Sequence, residues 1–229
     1  MSDLLQLPFV ARPIDQCPIK EVWKDQEYGF VNNLNIRPRP SIIDLGANIG
    51  MFSLYCFSVY PLAPIMSFEP CLDTYKVLEE NRRIFDKPTW STYCVGLWSV
   101  DCSIPFAHAT ASSGNHISFN ESSSETIKVI SFETLIGEYI HDKKVDIMKV
   151  DIEGAEGPFL YKKSHLLTSV DHLIIEIHPY RCNSTQVISS LNEAYEFIHS
   201  IPGRISSKPL LLASHQHYQL PLFKDISSR

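Results

Sequence analysis

The sequence lacks the features that mark several common classes of protein. No stretch approaches the roughly 20 apolar residues of a membrane-spanning helix. The first thirty residues, interrupted by Pro8, Pro13 and Pro18, have neither the basic start nor the apolar run of a secretory signal. Basic residues are too few for a phosphate-binding face, since 26 Asp and Glu outnumber 20 Lys and Arg. The composition therefore predicts neither a membrane span nor a nucleic-acid substrate.

The six cysteines form no C-x-x-C pair and no zinc-ligand spacing. A zinc site or a disulfide framework would require short, recurring spacings between them. Scattered cysteines are typical of reduced thiols, which belong to a reducing compartment. We therefore expect a cytoplasmic protein in which these residues are free: Cys17, Cys56, Cys71, Cys94, Cys102 and Cys182.

Hydrophobic patterns of strands and helices alternate along the 229 residues, which suffice for one sizeable core. Such alternation predicts an α/β fold, with a mostly parallel sheet, helices on both faces and an antiparallel C-terminal strand. The predicted strands are 41–45, 65–68, 89–97, 127–130, 145–150 and 171–177, with 218–223 the better candidate in the tail. The predicted helices are 49–59, 71–85, 132–139, 153–167 and 187–201.

Residues 1–40 differ from the alternating part of the chain in composition. They are rich in proline and aromatic residues and end in Arg37-Pro-Arg-Pro40, which cannot continue a helix. We interpret 1–40 as a lead-in that either covers the site as a lid or packs outside as a strap, and 41–229 as one domain. Residues 107–124, rich in Ser, Ala, Asn and Gly, predict a long irregular loop, a kind of segment that is often functional.

Residues 42–50 lead an apolar strand carrying Asp44 into a glycine turn and then into a helix. The dinucleotide fingerprint G-x-G-x-x-G is absent, because Gly46 and Gly50 stand four residues apart. An acid just before the first glycine would repel a phosphate, but it suits a ligand with ammonium and sulfonium groups. The turn therefore predicts a site for S-adenosylmethionine, with these residues at the cofactor: Asp44, Gly46, Ala47, Asn48 and Gly50.

Two further acids stand at the ends of predicted strands. Glu69 follows Gly50 by 19 residues, close to the distance at which doubly wound folds place an acid that binds the ribose hydroxyls. Asp151 ends the strand 145–150, at the sheet edge where ligands bind in open parallel sheets. We predict that both carboxylates contact the cofactor.

Six short segments between residues 41 and 178 appear together in a characteristic order. They are Asp-Leu-Gly-Ala-Asn-Ile-Gly (44–50), Phe-Glu-Pro (68–70), Asn81, Ser-Phe-Glu-Thr-Leu (131–135), Lys-Val-Asp-Ile-Glu-Gly-Ala-Glu (149–156) and Ile-Glu-Ile-His (175–178). In this order they resemble the FkbM-type family of S-adenosylmethionine-dependent methyltransferases. The resemblance implies a Rossmann-like class I methyltransferase sheet and, as in most characterised relatives, methyl transfer to a hydroxyl oxygen. It also implies cofactor contacts at Asp44, Gly46, Asn48, Gly50 and Glu69.

Transfer to an alcohol also requires that the acceptor lose its proton. His178, two residues after Glu176 at the end of its strand, is the candidate general base because an imidazole titrates near neutrality. It could instead only position the substrate, and Asp151 is the competing base. Asp151, Glu153, Glu176 and His178 also offer hard metal ligands, but their spacing is not specific and no metal is expected.

Two other classes of function fit parts of the sequence. A noncatalytic binding module would keep the methyltransferase fold and act through partners. A nucleotide-dependent oxidoreductase would bind NAD(P), but the missing glycines and Asp44 disfavour that cofactor. The favoured prediction is therefore O-methylation of a small molecule or a glycan.

Overall fold

The computed structural model describes residues 8–118, 125–140, 144–201 and 208–218, and the backbone of 224–225. Its strands are β1 (Ile42–Leu45), β2 (Ile65–Phe68), β3 (Trp90–Tyr93), β4 (Gly96–Leu97), β5 (Cys102–Ala107), β6 (His116–Ile117), β7 (Glu125–Ile130), β8 (Val145–Val150), β9 (Val170–Glu176), β10 (Phe197–Ser200), β11 (Leu210–Ser214) and β12 (Lys224–Asp225). Its α-helices are α1 (Gln16–Ile19), α2 (Met51–Val59), α3 (Leu72–Phe85), α4 (Phe132–Thr134), α5 (Glu156–Leu160), α6 (Ser164–Leu167) and α7 (Ser184–Ala194). Short 3-10 or π turns occupy Pro13–Asp15, Lys20–Lys24, Gly29–Asn33, Ser112–Gly114 and Leu135–Tyr139.

The main sheet has the strand order β12-β10-β11-β9-β8-β1-β2-β3. Five neighbouring strands of this sheet pair in parallel, in the order β3, β2, β1, β8 and β9, whereas β11, β10 and β12 pair antiparallel to their neighbours. The predicted mostly parallel Rossmann-like sheet with an antiparallel C-terminal part is therefore confirmed. The antiparallel C-terminal part includes β11. Of the tail strand predicted over 218–223, residue 218 is not in a strand, and residues 219–223 lie outside the described residues.

Both faces of this sheet are buried, because successive strand residues point to opposite sides. On one face Ile42 and Ile147 pack against α2 and α3. On the other face Ile43 and Met148 pack against α5, α6 and α7. Most strand residues are therefore apolar, and the carboxyl ends of the strands form the edge at which the polar side chains of the cleft collect.

The lead-in packs into the first of these cores. Trp23, Tyr28 and Val31 are buried against α2, and Trp23 meets Tyr55 edge to face with ring centroids 5.7 Å apart. On α3, the buried Asn81 side chain accepts a hydrogen bond from the Val10 N–H and donates to the Val10 carbonyl. The segment is thus joined to the domain by apolar packing and by buried hydrogen bonds.

A second sheet, β4-β7-β5-β6, interrupts the alternation. The prediction of one strand over 89–97 is wrong, because β3 ends at Tyr93 in the main sheet while β4 pairs with β7 in the second. The loop predicted over 107–124 contains Ser112–Gly114 and β6, and its residues 119–124 lie outside the described residues. All six cysteines are free thiols.

Two predicted helices are also wrong. The helix expected over 153–167 is split into α5 and α6, since Lys162 between them has a positive φ of 60° that no α-helix accommodates. The helix expected over 187–201 ends at Ala194 and is followed by β10. Ile198 and Ile201 belong to cores on opposite faces of the sheet. Residues three apart face opposite sides in an extended chain, whereas they would share one face of a helix.

No α-helix within the described residues is long and apolar enough to cross a bilayer.

Candidate functional site

A cleft of about 870 Å³, counted with its part open to solvent, lies at the carboxyl ends of β1, β2 and β8. Its walls come from the lead-in, the glycine turn, the second sheet and the segment after β8. The lining residues used below are Tyr28, Gly46, Ala47, Asn48, Glu69, Gly96, Lys149, Asp151 and Glu153.

The glycine turn is held against the end of β8. Gly46 has a φ of +73°, and a Cβ placed on it would lie 1.8 Å from the carbonyl oxygen of Asp151. The Gly46 N–H donates to the Phe68 carbonyl at 3.0 Å, which fixes the turn to the end of β2 as well. Only glycine allows both this φ and this approach, so the turn brings bare backbone to the wall of the cleft.

Gly50 has a different task from Gly46. Its φ is +89°, and a Cβ there would lie 2.8 Å from Leu78 Cδ1, inside the core between α2 and α3. It immediately precedes α2, and it does not line the cleft. Gly50 allows the chain to pass from the turn into α2, whereas Gly46, Ala47 and Asn48 line the cleft.

Lys149 lies directly beneath the turn. Its Nζ donates to the Gly46 carbonyl at 2.8 Å and stands 3.4 Å from Asp44 Oδ1 and 3.5 Å from Asp151 Oδ2. Burial alone would lower the pKa of Lys149, but the Asp151 and Asp44 carboxylates raise it above its ordinary value. The ammonium therefore stays charged and links the turn to both acids.

Asp44 is fully buried and does not reach the cleft. Its Oδ2 accepts from the Ser53 hydroxyl at 2.7 Å, and Ser53 is in turn 2.8 Å from the Ser67 hydroxyl. Burial raises the pKa of Asp44, while Lys149 and Ser53 oppose the shift. Direct contact with a cofactor stays a prediction for this residue, and in the structure its partners are protein groups.

Glu69 sits at the floor of the cleft with both carboxylate oxygens bonded to backbone. Oε2 accepts from the Asn48 N–H and Oε1 from the Cys71 N–H, each at 3.0 Å. Burial raises the pKa of Glu69 to about 7, although these two hydrogen bonds oppose the rise. The two hydrogen bonds hold the carboxylate in one orientation, and each oxygen keeps a second lone pair.

The turn is also secured from α3 and from the irregular loop. The Asn81 side chain donates to the Ile49 carbonyl at 2.8 Å, in addition to its bonds to the lead-in. The Asn48 side chain accepts from the Ile49 N–H at 2.9 Å and from the Ser112 hydroxyl at 3.3 Å. Lead-in, turn and loop therefore meet at one place on the rim of the cleft.

His178 lies beside the cleft, among carboxylates. Its Nδ1 is 2.9 Å from Glu156 Oε1, and its Nε2 faces Glu153 at 3.3 Å, Glu176 at 3.7 Å and Asp151 at 3.8 Å. The side chain is 3% exposed, and its Nε2 makes no hydrogen bond to any of the described residues. The imidazole is therefore directed into an acidic cluster.

The acidic cluster controls the charge of this histidine. Burial alone would lower the pKa of His178, but the close carboxylates of Glu153 and Glu156 and the charge of Asp151 raise it to about 10. Two other cations meet the same acids: Arg181 pairs with Glu153, and Lys208 lies 3.4 Å from Glu153 and 3.8 Å from Glu176. Of the two candidate bases, Asp151 lines the cleft while His178 stands behind it.

Lys149 and Glu156 belong to the segment 149–156, but neither is among the site residues expected from the sequence. Lys149 was detectable as the one cation of a mostly apolar strand, because a buried lysine needs acidic partners. Glu156 is fully buried and accepts from the N–H groups of Ile152 and Gly154 as well as facing His178. Nothing in its spacing indicates this contact, since the chain must turn back through α5 and β9 to make it.

Comparison with known proteins finds similarity to methyltransferases. The model of the methyltransferase FkbM domain matches residues 44–201. Methyltransferase sdnD of Sordaria araneosa is 31% identical over 188 residues, covering 68% of this chain and 71% of that protein. Methyltransferase 1 of Beauveria bassiana is 27% identical and covers 60% of this chain and 62% of its own length. Hexuronic acid methyltransferase AglP of Haloferax volcanii is 35% identical over 138 residues, which are 59% of this chain and 54% of that protein.

Among solved structures, methyltransferase FkbM from Methylobacillus flagellatus KT shares the fold. The TM-score is 0.57 at 17% identity, with 79% of this chain covered and 44% of the other. The chain thus spans less than two thirds of the length of this structure and of the Beauveria relative.

Proposed function

The chain belongs to the FkbM family of methyltransferases, and from that membership we propose that it transfers a methyl group from S-adenosylmethionine to a hydroxyl oxygen. The observation that carries the proposal is the meeting of three features in one cleft: the bare backbone of Gly46, the fixed carboxylate of Glu69 and the carboxylate of Asp151. When bound, S-adenosylmethionine would supply an electrophilic methyl group on a sulfonium.

The donor side of the cleft fits such a ligand. Glu69 keeps free lone pairs for the two ribose hydroxyls, and a Cβ at Gly46 would fill space beside the Asp151 carbonyl. Acids at Glu69 and Asp151 suit a ligand that carries positive charge. Asp44 contributes through Lys149, which holds the Gly46 carbonyl and so fixes the turn.

The acceptor side is proposed to lie at Asp151. The acceptor oxygen forms a bond to the methyl carbon as the carbon–sulfur bond breaks, the bonding pair stays on sulfur, and the acceptor proton passes to the Asp151 carboxylate. Asp151 is preferred to His178 as base because Asp151 lines the cleft. Holding the reacting groups in line can supply up to roughly 7 to 11 kcal/mol of the barrier.

The acceptor is proposed to be a small molecule or a glycan. The relative AglP is named a hexuronic acid methyltransferase, which supports a hydroxylated sugar as the first class to test. The lead-in side chain Tyr28 and the loop around Ser112 line the same cleft, so residues 8–40 and 107–118 are proposed to shape the acceptor pocket as a lid over the domain.

The donor is tested by calorimetric titration of the full chain with S-adenosylmethionine. Glu69→Gln should weaken binding at least tenfold, because charge-assisted hydrogen bonds to the ribose are lost. Glu80→Gln removes an exposed acid from the same region of the chain, α3, and should leave binding unchanged. Absence of binding by the wild-type chain, or binding of NAD(P) in its place, contradicts the proposal.

The reaction is tested by incubating the chain with isotope-labelled methyl donor and a panel of hydroxylated acceptors, uronic acids included, with products read by mass. Asp151→Asn should abolish transfer to an active acceptor while donor binding is retained within a few fold. If wild-type binds the donor but modifies no hydroxyl in the panel and instead modifies amines, the O-methylation part of the proposal is wrong. Donor binding with no transfer to any acceptor would favour the noncatalytic alternative.

A further inference from the structure

We infer that Asp151, Glu153 and His178 form a binding site for one divalent cation beside the cleft. One ligand atom from each of these side chains lies within 4.8 Å of the others. Asp151 and Glu153 both line the cleft. An ion held by these residues would therefore be accessible to a ligand in the cleft and would be coordinated from behind by the buried imidazole.

The position of His178 Nε2 supports a cation site independently of the acidic cluster. This atom is buried, makes no hydrogen bond to a described residue, and points at carboxylate oxygens of Glu153 and Asp151 at 3.3 and 3.8 Å. Carboxylates crowded around an imidazole nitrogen require positive charge between them, supplied either by a proton on the ring or by a bound cation. A metal ion satisfies the nitrogen and both oxygens at once.

Glu156 completes the arrangement that is typical of metal-binding histidines. Its Oε1 is 2.9 Å from His178 Nδ1, and its own position is fixed by the N–H groups of Ile152 and Gly154. A carboxylate that accepts from one ring nitrogen leaves the other nitrogen as a ligand and sets the ring orientation. Glu156 is therefore a positioning residue for the site.

The spacings suit a single ion. Ligand atoms at about 2.1 Å from an ion stand about 3.0 Å apart when adjacent and about 4.2 Å apart when opposite, and the Nε2 distances to the three facing carboxylates fall between these limits: 3.3, 3.7 and 3.8 Å. Arg181 and Lys208 also contact Glu153, but a carboxylate accepts at several positions and neither cation meets the imidazole nitrogen. A mixed imidazole and carboxylate set favours Mn²⁺ or a similar first-row ion.

The role of the ion rests on the proposed function, although its binding does not. An ion bound to Asp151 would lie next to the proposed position of the acceptor oxygen. It would bind that oxygen and lower the pKa of the hydroxyl group, while the proton passes to the carboxylate as before. Acceptors with two neighbouring hydroxyls, such as sugars, would gain most, because both oxygens can bind the ion.

The test is a titration of the chelator-treated, dialysed full chain with Mn²⁺, followed by electron paramagnetic resonance of the free ion. Wild-type should bind one Mn²⁺ per chain. Glu153→Gln and His178→Gln should each weaken binding at least tenfold, and Glu156→Gln by about 10- to 100-fold. Glu80→Gln, an acid distant from the site on α3, is the matched control and should bind as wild-type does.

Failure to fold is separated from loss of the site by thermal unfolding in the presence of chelator. If His178→Gln unfolds, Glu153→Gln decides, because its side chain lies nearer the surface. No binding by wild-type at millimolar Mn²⁺, or equal binding by wild-type and a folded Glu153→Gln, overturns the inference. Titration with S-adenosylmethionine in the presence of chelator measures donor binding alone. Failure to bind Mn²⁺ therefore contradicts only the metal site, whereas failure to bind the donor contradicts the proposed function.

Discussion

Replacing Lys149 by methionine should destabilise the fold strongly. Methionine keeps the length and apolar stem of the side chain but leaves the buried Asp44 without a cation, and the Gly46 carbonyl loses its 2.8 Å donor. Removing one partner of a buried ion pair costs about 3 to 5 kcal/mol. For a chain of this size such a loss lowers the melting temperature by roughly 6 to 20 °C. The free energy of unfolding is measured by urea denaturation and the melting temperature by calorimetry.

The matched control is Lys144→Met, at the residue just before the same strand. Lys144 is 65% exposed and pairs with Asp171 at 3.1 Å, and an exposed pair contributes about 0 to 1 kcal/mol. The double variant Asp44→Asn/Lys149→Met should be less destabilised than the sum of the single variants by about 1 kcal/mol or more. Additivity within about 0.5 kcal/mol, or a similar effect of Lys144→Met, would refute the reasoning.

Three further outcomes follow from the same contacts. Gly46→Ala should abolish measurable donor binding, since its Cβ would lie 1.8 Å from the Asp151 carbonyl, whereas Gly137→Ala, with no atom within 4 Å of its Cβ, should bind as wild-type does. Asn81→Ala should destabilise the chain by at least about 2 kcal/mol, because buried backbone groups lose their partner, and should speed proteolysis of the lead-in; unchanged cleavage would contradict this role. Donor affinity should rise with pH through about 7 as Glu69 ionises, and Glu69→Gln should flatten this dependence. A wild-type profile that falls over that interval would contradict the assignment of Glu69 to the ribose.

The raised pKa of Glu69 also makes the stability of the folded chain depend on pH. In the folded chain this carboxyl titrates near 7, above its ordinary value of 4.5, so the folded state holds the proton more tightly than the unfolded state. The contribution of Glu69 to stability is therefore fully present below pH 4.5 and is lost as the pH rises to about 7.

Much of the fold follows from local pattern. The predicted strands 65–68 and 145–150 match β2 and β8 residue for residue, because strands buried on both faces are mostly apolar and are bounded by turns. The second sheet was missed because β4 has only two residues, Gly96 and Leu97, and its partner β7 is about thirty residues away along the chain. Pairing at that separation has no local signal.

The sequence alone determined that Asp44, Glu69 and Asp151 stand at the ends of strands, since parallel strands present their carboxyl ends at one edge. Only the tertiary structure decided how each acid is used. Packing of α2 buries Asp44 beneath the cleft against Lys149, and the return of β9 turns His178 toward Glu153 and away from solvent. Burial and charge at such a site arise from residues distant in sequence, and these set the protonation and the access of each group.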